Sequence, residues 1–246
     1  MNETKDIIDK PKLTLSPECL TNIDATSKVA WDESYRLKRS NSLWSDDAIP
    51  YMARAIELFK MCHCHTVVDM PCGDGRNTIV LAKEMPTVVA FDGSENALSL
   101  AQKRIKAAGP RNCVFIHGDI FHTQFQDDQF DGIFCWDLLG HIKATEASIK
   151  ELVRICRHGG HIIASIFAMS DPNRGIEMSP VGTNEFIYRK RYFYRFYSKE
   201  DIEALLKRFP AQLVSLDLEV WDEPGHEGFR EYPHTHHSWV FNLKKG

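Results

Sequence analysis

Acids that close apolar runs, and the glycine turn beside the first of them, are the residues of this chain best placed to do chemistry. Val67-Val68 runs into Asp69, and the chain then breaks into Met70-Pro71-Cys72-Gly73-Asp74-Gly75. Glycine carries no Cβ, so Gly73 and Gly75 tolerate unusual dihedrals and let a ligand lie against the main chain. A helix opening near Asn77 adds unpaired N–H groups at the same place. A second apolar run, Val88-Val89-Ala90-Phe91, also ends in an acid, Asp92. Together these segments read as a site for a nucleotide-like cofactor.

Other clusters compete for attention. Cys62-His63-Cys64-His65 has one-residue spacing, tighter than the ~2–4 residues that separate the usual zinc pairs, and reads as packing. His234-Thr235-His236-His237, with His226 upstream, puts His234 and His236 on one face of an extended strand. No cysteine or carboxylate sits at ligand spacing, so hydrogen bonding or acid–base work is expected there and no metal is assigned. The stretch 186–197 alternates aromatic and basic residues. As one strand it would put Tyr192, Tyr194 and Phe196 on one face and Arg191, Phe193 and Arg195 on the other. That is either a solvated basic face or a surface for an anionic substrate or RNA.

The elements that must position these residues follow from patterning. Over 246 residues, 43% of them hydrophobic, the chain fits one domain at 29–246 behind a flexible lead-in, 1–28, that carries Pro11 and Pro17. Ile49, Met52, Ala53, Ile56 and Phe59 at helical spacing predict a helix over 46–60. Strands at 66–70, 87–92, 113–117, 130–136 and 160–167 then alternate with helices. These open at Asn77, run from Ser94 to a Gly109-Pro110 stop, and span 145–158 before a Gly159-Gly160 stop. Alternation predicts a parallel sheet. After a helix at 198–209, strands at 212–221 and 236–243 are joined by a Pro/Gly-containing loop and should form an antiparallel hairpin.

A net charge of −4 supplies no basic field for a nucleic acid or a membrane surface, and favours a small anionic substrate over RNA at 186–197. No apolar run approaches the ~18 residues of a membrane span, and Met1-Asn2-Glu3-Thr4-Lys5-Asp6 lacks a secretory core. Cys113, Cys135 and Cys156, three of seven cysteines, lie inside apolar segments as reduced thiols do. A soluble cytoplasmic protein is the simplest reading.

Seven strands with a reversed terminal pair, and the motifs at their ends, resemble the class I S-adenosylmethionine-dependent methyltransferases from about Trp31 onward. The resemblance implies an α/β, Rossmann-like, seven-stranded, mostly parallel sheet with a C-terminal antiparallel hairpin and helices on both faces. The family's acid-x-Gly-x-Gly-x-Gly loop, which wraps the methionine end of the cofactor, appears as Asp69 to Gly75 with Pro71 for the first glycine. Pro71 fixes φ at about −65° and removes an N–H. Asp92 stands where the family binds the ribose hydroxyls, with Gly93 and Ser94 at the next helix start. His117-Gly118-Asp119-Ile120 matches the segment in which the acid takes the adenine amino group and the apolar neighbour covers the ring. Phe130-Asp131-Gly132-Ile133-Phe134-Cys135-Trp136-Asp137 resembles the fourth-strand motif, after which residues face both methionine and acceptor. Trp31-Asp32-Glu33-Ser34-Tyr35 and the segment 71–77 resemble the small-molecule branch with the tellurite-resistance and thiopurine-type enzymes, which puts Trp31 at the cofactor. A nicotinamide site fits less well, because Gly73-x-Gly75-x-x-Thr78 has Thr78 where a third glycine belongs.

The implied reaction is an in-line methyl transfer from S-adenosylmethionine to a small-molecule acceptor (a thiol, another soft nucleophile, an amine or a hydroxyl), leaving S-adenosylhomocysteine. The protein's main task is to hold the nucleophile ~3–3.5 Å from the methyl carbon and exclude water. A hydroxyl acceptor needs a general base, for which His141 and His236 are the candidates. His141, Tyr192, Arg195 and His236 are the expected substrate contacts. An RNA or protein methyltransferase using 186–197, or a non-catalytic S-adenosylmethionine-binding protein, are the alternatives.

Overall fold

In a computed structural model, residues 22–37, 46–226 and 229–246 are described. Three β-strands in order, β1 (Thr66–Asp69), β2 (Thr87–Asp92) and β3 (Cys113–His117), alternate with α3 (Arg76–Glu84) and α4 (Glu95–Ala108). Two helices precede them, α1 (Ile23–Leu37) and α2 (Met52–Met61). β4 (Phe130–Cys135), α5 (Thr145–Ile155) and β5 (Cys156–Phe167) follow. Then come β6 (Met178–Gly182), β7 (Glu185–Tyr188), β8 (Tyr192–Arg195), α6 (Lys199–Leu206), β9 (Ala211–Glu223) and β10 (His234–Lys245).

The main sheet has the order β3-β2-β1-β4-β5-β10-β9, with β1 to β5 parallel and β10 antiparallel to both neighbours. The expected reversed hairpin is thus present. Period-two alternation sorts its side chains into two cores. Val68, Ile133, Ile162 and Ala164 pack on α5 and α6 through Ile149, Leu152, Ile202 and Leu206. Val67, Phe134, Ile163 and Val240 face the other way onto Ile56, Phe59 and Leu81 of α2 and α3.

Local signals set the ends of α4. The Ser94 hydroxyl accepts the Ala97 N–H at 3.0 Å, and Gly109 closes the helix with φ +99°. The Gly159-Gly160 pair acts differently from expectation. α5 already ends at Ile155, and Cys156 starts β5 opposite Phe130, so the glycines sit in a register shift of that strand. Cys156 is fully buried, and following it with extended chain lets the strand begin without a loop.

Two regions differ from the sequence expectation. Residues 23–28, expected in the lead-in, are the first turns of α1; residues 1–21 lie outside the described part. The stretch 186–197 is not one strand. Arg189 and Lys190 adopt left-handed φ of 48° and 64° and turn the chain back, making β6-β7-β8 a separate antiparallel sheet. Phe193 and Ile187 pack with Ile23 of α1, while Tyr188, Tyr192 and Tyr194 form an aromatic layer with Ala30 and Phe229.

Candidate active site

The C-terminal ends of β1 to β4 open into a cavity of about 550 Å³, where open α/β sheets place their ligands. α1 walls it with Ser27, Lys28, Trp31 and Tyr35. Two acids fix that helix across helix N-termini. Asp32 accepts from the Ser94 hydroxyl at 2.6 Å and the Asn96 amide at 2.9 Å at the start of α4; Asp24 accepts the Lys143 and Ala144 N–H groups ahead of α5.

One end of the cavity is built from strand ends. Asp92 Oδ2 accepts the Gly73 N–H at 2.8 Å and Oδ1 the Ser94 N–H at 2.8 Å, which leaves each oxygen a lone pair for a ligand hydroxyl. Burial lifts its carboxyl to about 6, against the pull of those N–H groups. Gly73 has φ +53°, which other residues adopt only with strain, and a Cβ there would stand 2.9 Å from Tyr35 Oη, so glycine lets the loop lie close against α1. Phe91 and the buried Ile120 supply an apolar slot beside Asp119, which is half exposed, accepts the Phe121 N–H at 2.9 Å and lies 4.0 Å from Lys28 Nζ. A paired-oxygen acceptor next to an apolar slot with a carboxylate at its rim fits a ribose joined to an aminopurine. Trp136 stacks on Phe134 at 5.7 Å, and among the described residues its buried indole N–H has no hydrogen-bond partner.

Past Trp136 the lining changes to histidines, ion pairs and aromatic rings. Arg76 Nη1 meets Glu223 Oε1 at 2.9 Å with both side chains buried, and Glu223 Oε2 lies 3.5 Å from His226 Nε2. Burial opposes ionisation of Glu223, but the Arg76 guanidinium outweighs it and holds the carboxyl below the usual range. His236 Nδ1 lies 3.6 Å from Asp171 Oδ2. Asp171 is fixed by the His237 N–H at 3.0 Å and the Asn173 N–H at 2.7 Å, and despite burial these groups and His236 keep its carboxyl below the usual range. The His236 ring stacks on Trp221 at 5.1 Å and meets His234 edge-on at 4.6 Å. Burial pushes His226 and His234 down to about 4, so both are neutral at pH 7. Asp137, with φ +53°, presents a carboxyl that burial raises to about 6.

The sequence-derived residues divide cleanly. Trp31, Pro71, Gly73, Asp92, Gly93, Ser94, Asp119, Ile120, Trp136, His141 and His236 line the cavity; the Met70–Pro71 bond is cis. Asp69 does not: it is buried behind the loop, where the Thr78 hydroxyl donates to it at 2.5 Å. Gly75 sits at the start of α3 with φ +87° against Ala101 of α4, and works by packing. Tyr192 is also a supporting residue, its hydroxyl 2.5 Å from Ser34 Oγ and its ring 4.8 Å from that of Trp31. Arg195 is turned away, paired with Glu185 and donating to the Lys143 carbonyl at 3.2 Å. His141 lines the cavity, but Nδ1 is 2.9 Å from the Phe193 carbonyl and burial pushes it to about 4, which makes it a weak base.

Among the lining residues not named from sequence as site residues, Arg76, Tyr194, Glu223 and Arg230 carry charge or a hydroxyl into the cavity wall. Asp171 was missed too. Arg230 lies between His226 and His234 in sequence, which was the signal available for it; Asp171 lies in the loop after β5, at the end of the sheet where ligands bind, but its partnership with His236 arises only through the fold.

Comparison with known proteins agrees with this geometry. Residues 67–160 match the family described as a methyltransferase domain. The demethylmenaquinone methyltransferase of Clavibacter sepedonicus is 30% identical over 102 residues, 42% of this chain and 41% of that protein. The chain thus spans about two fifths of the length of that curated relative. Among solved structures, a SAM-dependent methyltransferase from Methanosarcina mazei superposes with TM-score 0.66 at 16% identity, over 81% of this chain and 98% of that one. The 1,6-didemethyltoxoflavin-N1-methyltransferase of Burkholderia thailandensis, solved with 1,6-didemethyltoxoflavin and S-adenosylhomocysteine, gives 0.63 at 19% identity over 97% and 93%. Four motifs in order, the sheet order and the domain match over residues 67–160 agree in supporting a class I S-adenosylmethionine-dependent methyltransferase.

Proposed function

We propose that this protein transfers the methyl group of S-adenosylmethionine to a protic oxygen of a small molecule. The observation that carries the reading is a single cavity lined by both Asp92 and His236, with Asp171 behind the His236 ring. S-adenosylmethionine supplies an electrophilic methyl carbon on a sulfonium. Asp92 accepts the ribose hydroxyls, Ile120 and Phe91 cover the purine, and Asp119 accepts its amino group. Asp171 faces His236 Nδ1 and leaves Nε2 as the nitrogen to take the acceptor's proton, the arrangement a general base requires. As the acceptor oxygen bonds to the methyl carbon, the carbon–sulfur bond breaks and the proton goes to His236. Trp31, stacked edge-on against His141 at 4.9 Å and 5.4 Å from Phe229, excludes water from that end.

An RNA acceptor is less well supported, because Arg191 and Arg195 are neutralised by Glu33 and Glu185. No helix of the described residues is long and apolar enough to cross a membrane, and the reading places the enzyme in the cytoplasm. The test is incubation with methyl-labelled S-adenosylmethionine and a panel of phenols, enols, thiols, amines and cellular RNA. Label in a hydroxylated small molecule is the expected result. Label confined to RNA or protein would contradict the reading, and tight cofactor binding with no turnover on any acceptor would favour a non-catalytic role.

A further inference from the structure

Arg230 is 2% exposed and lies in the cavity wall. The other arginines near the cavity are compensated: Arg76 by Glu223, Arg104 by Asp74 and Arg195 by Glu185. Among the described residues no ion pair joins Arg230 to a carboxylate, and its buried Nε has no hydrogen-bond partner. Its guanidinium rests over the Tyr188 ring at 5.5 Å, and the Tyr188 hydroxyl donates to the Phe229 carbonyl at 2.9 Å, which holds the neighbouring chain. A ring face compensates a desolvated cation only in part. Leaving a buried charge without a counter-ion is costly, so an anion that enters the cavity gains what the fold withholds. The acids nearby are already engaged, Glu223 with Arg76 and Asp171 with His236.

We infer that Arg230 anchors a carboxylate of the methyl acceptor, so that the acceptor is a small aromatic or conjugated acid whose hydroxyl lies toward His236. The planar guanidinium fork matches a carboxylate with two parallel N–H···O bonds. The flat body is set by the rings around it: Trp31 is 5.4 Å from Phe229, and Phe167 stacks on Tyr194 at 5.3 Å. The inference rests on the methyl-transfer reading for the acceptor's role, though the anion preference of the cavity does not.

The test is calorimetric titration of benzoate and its neutral isostere benzamide into the full chain, alone and saturated with S-adenosylhomocysteine, for the wild type, Arg230→Gln and Arg230→Lys. Benzoate should bind at least tenfold tighter than benzamide to the wild type, within twofold of it in Arg230→Gln, and with part of the preference restored in Arg230→Lys. S-adenosylhomocysteine affinity should stay within twofold in all three. The ligand-free melting temperature of Arg230→Gln should equal or exceed that of the wild type, since an uncompensated charge is removed. A wild type with no preference for benzoate, including no binding of either probe, a preference that survives in Arg230→Gln, or a lowered ligand-free melting temperature as for a broken ion pair would each overturn the inference. If S-adenosylhomocysteine does not bind the wild type, the methyl-transfer reading fails, while the benzoate preference of the protein alone still reads the anchor.

Discussion

The two ends of the cavity are built on different principles. At the cofactor end, Asp92 and Asp119 sit on strand ends and their immediate loops, and backbone N–H groups of the strand-end loops, those of Gly73, Ser94 and Phe121, hold the carboxylates. At the acceptor end, the groups come from far apart: Arg76 meets Glu223 across 147 positions, Asp171 reaches the hairpin strand β10, and Trp31 leans on β8. On the methyl-transfer reading, the first end is built to bind something constant with strand-end geometry. The second assembles side chains from α1, the small sheet and the hairpin, where changes of sequence alter the acceptor without disturbing the strand-end site.

That contrast gives graded expectations. The largest effect belongs to the acceptor end: His236→Gln should lower kcat by about 10²- to 10⁴-fold with little change in S-adenosylhomocysteine affinity, as loss of a general base does. Single-turnover kinetics beside a binding titration separate the two. A comparable loss of cofactor affinity would break the division.

Next comes the scaffold of the cofactor end. Gly75 has φ +87° and a Cβ there would stand 3.1 Å from the Ala101 backbone, so Gly75→Ala should cost about 1–3 kcal/mol in chemical unfolding. Unchanged stability would show that the loop and α4 have room to separate.

The pH dependence is smaller and local. Asp92 must be ionised to accept two hydroxyls, and its carboxyl lies at about 6. Affinity for S-adenosylhomocysteine should therefore be flat above that value and fall about tenfold per pH unit below it, while Asp92→Asn binds weakly with no such slope. The smallest effect is predicted for Arg195→Ala. Its pairing with Glu185 lies outside the cavity, so kcat/KM should change less than about twofold and stability by about 1 kcal/mol. A large KM effect would return Arg195 to the substrate site.

The same contrast explains what was legible in the sequence. Val67 to Asp69, the strand Thr87–Asp92, the Ser94 cap and the Gly109 stop are local signals, and they locate the sheet and most of the cofactor end. Asp69 misled because the residue ending a strand can point into the protein as readily as out of it; here it turns to Thr78. The small sheet was hidden because Arg189 and Lys190 make its turn without glycine, asparagine or aspartate, so an alternating aromatic–basic run read as one strand. Asp171 acquires its partner only when distant segments pack, and no spacing rule reports that. His141 and His236 looked alike in sequence; the Phe193 carbonyl and full burial neutralise one, while Asp171 supports the other.

The central claim, an adenosyl cofactor held by Asp92 in this cavity, is tested most directly by titrating S-adenosylhomocysteine into the wild type and Asp92→Ala in a calorimeter at pH 7.5. The account predicts one-to-one binding by the wild type and a loss of about 100-fold in the variant, the worth of two hydrogen bonds to a charged acceptor at about 1.5 kcal/mol each. No binding by folded wild-type protein, or equal affinity in the two, would contradict it.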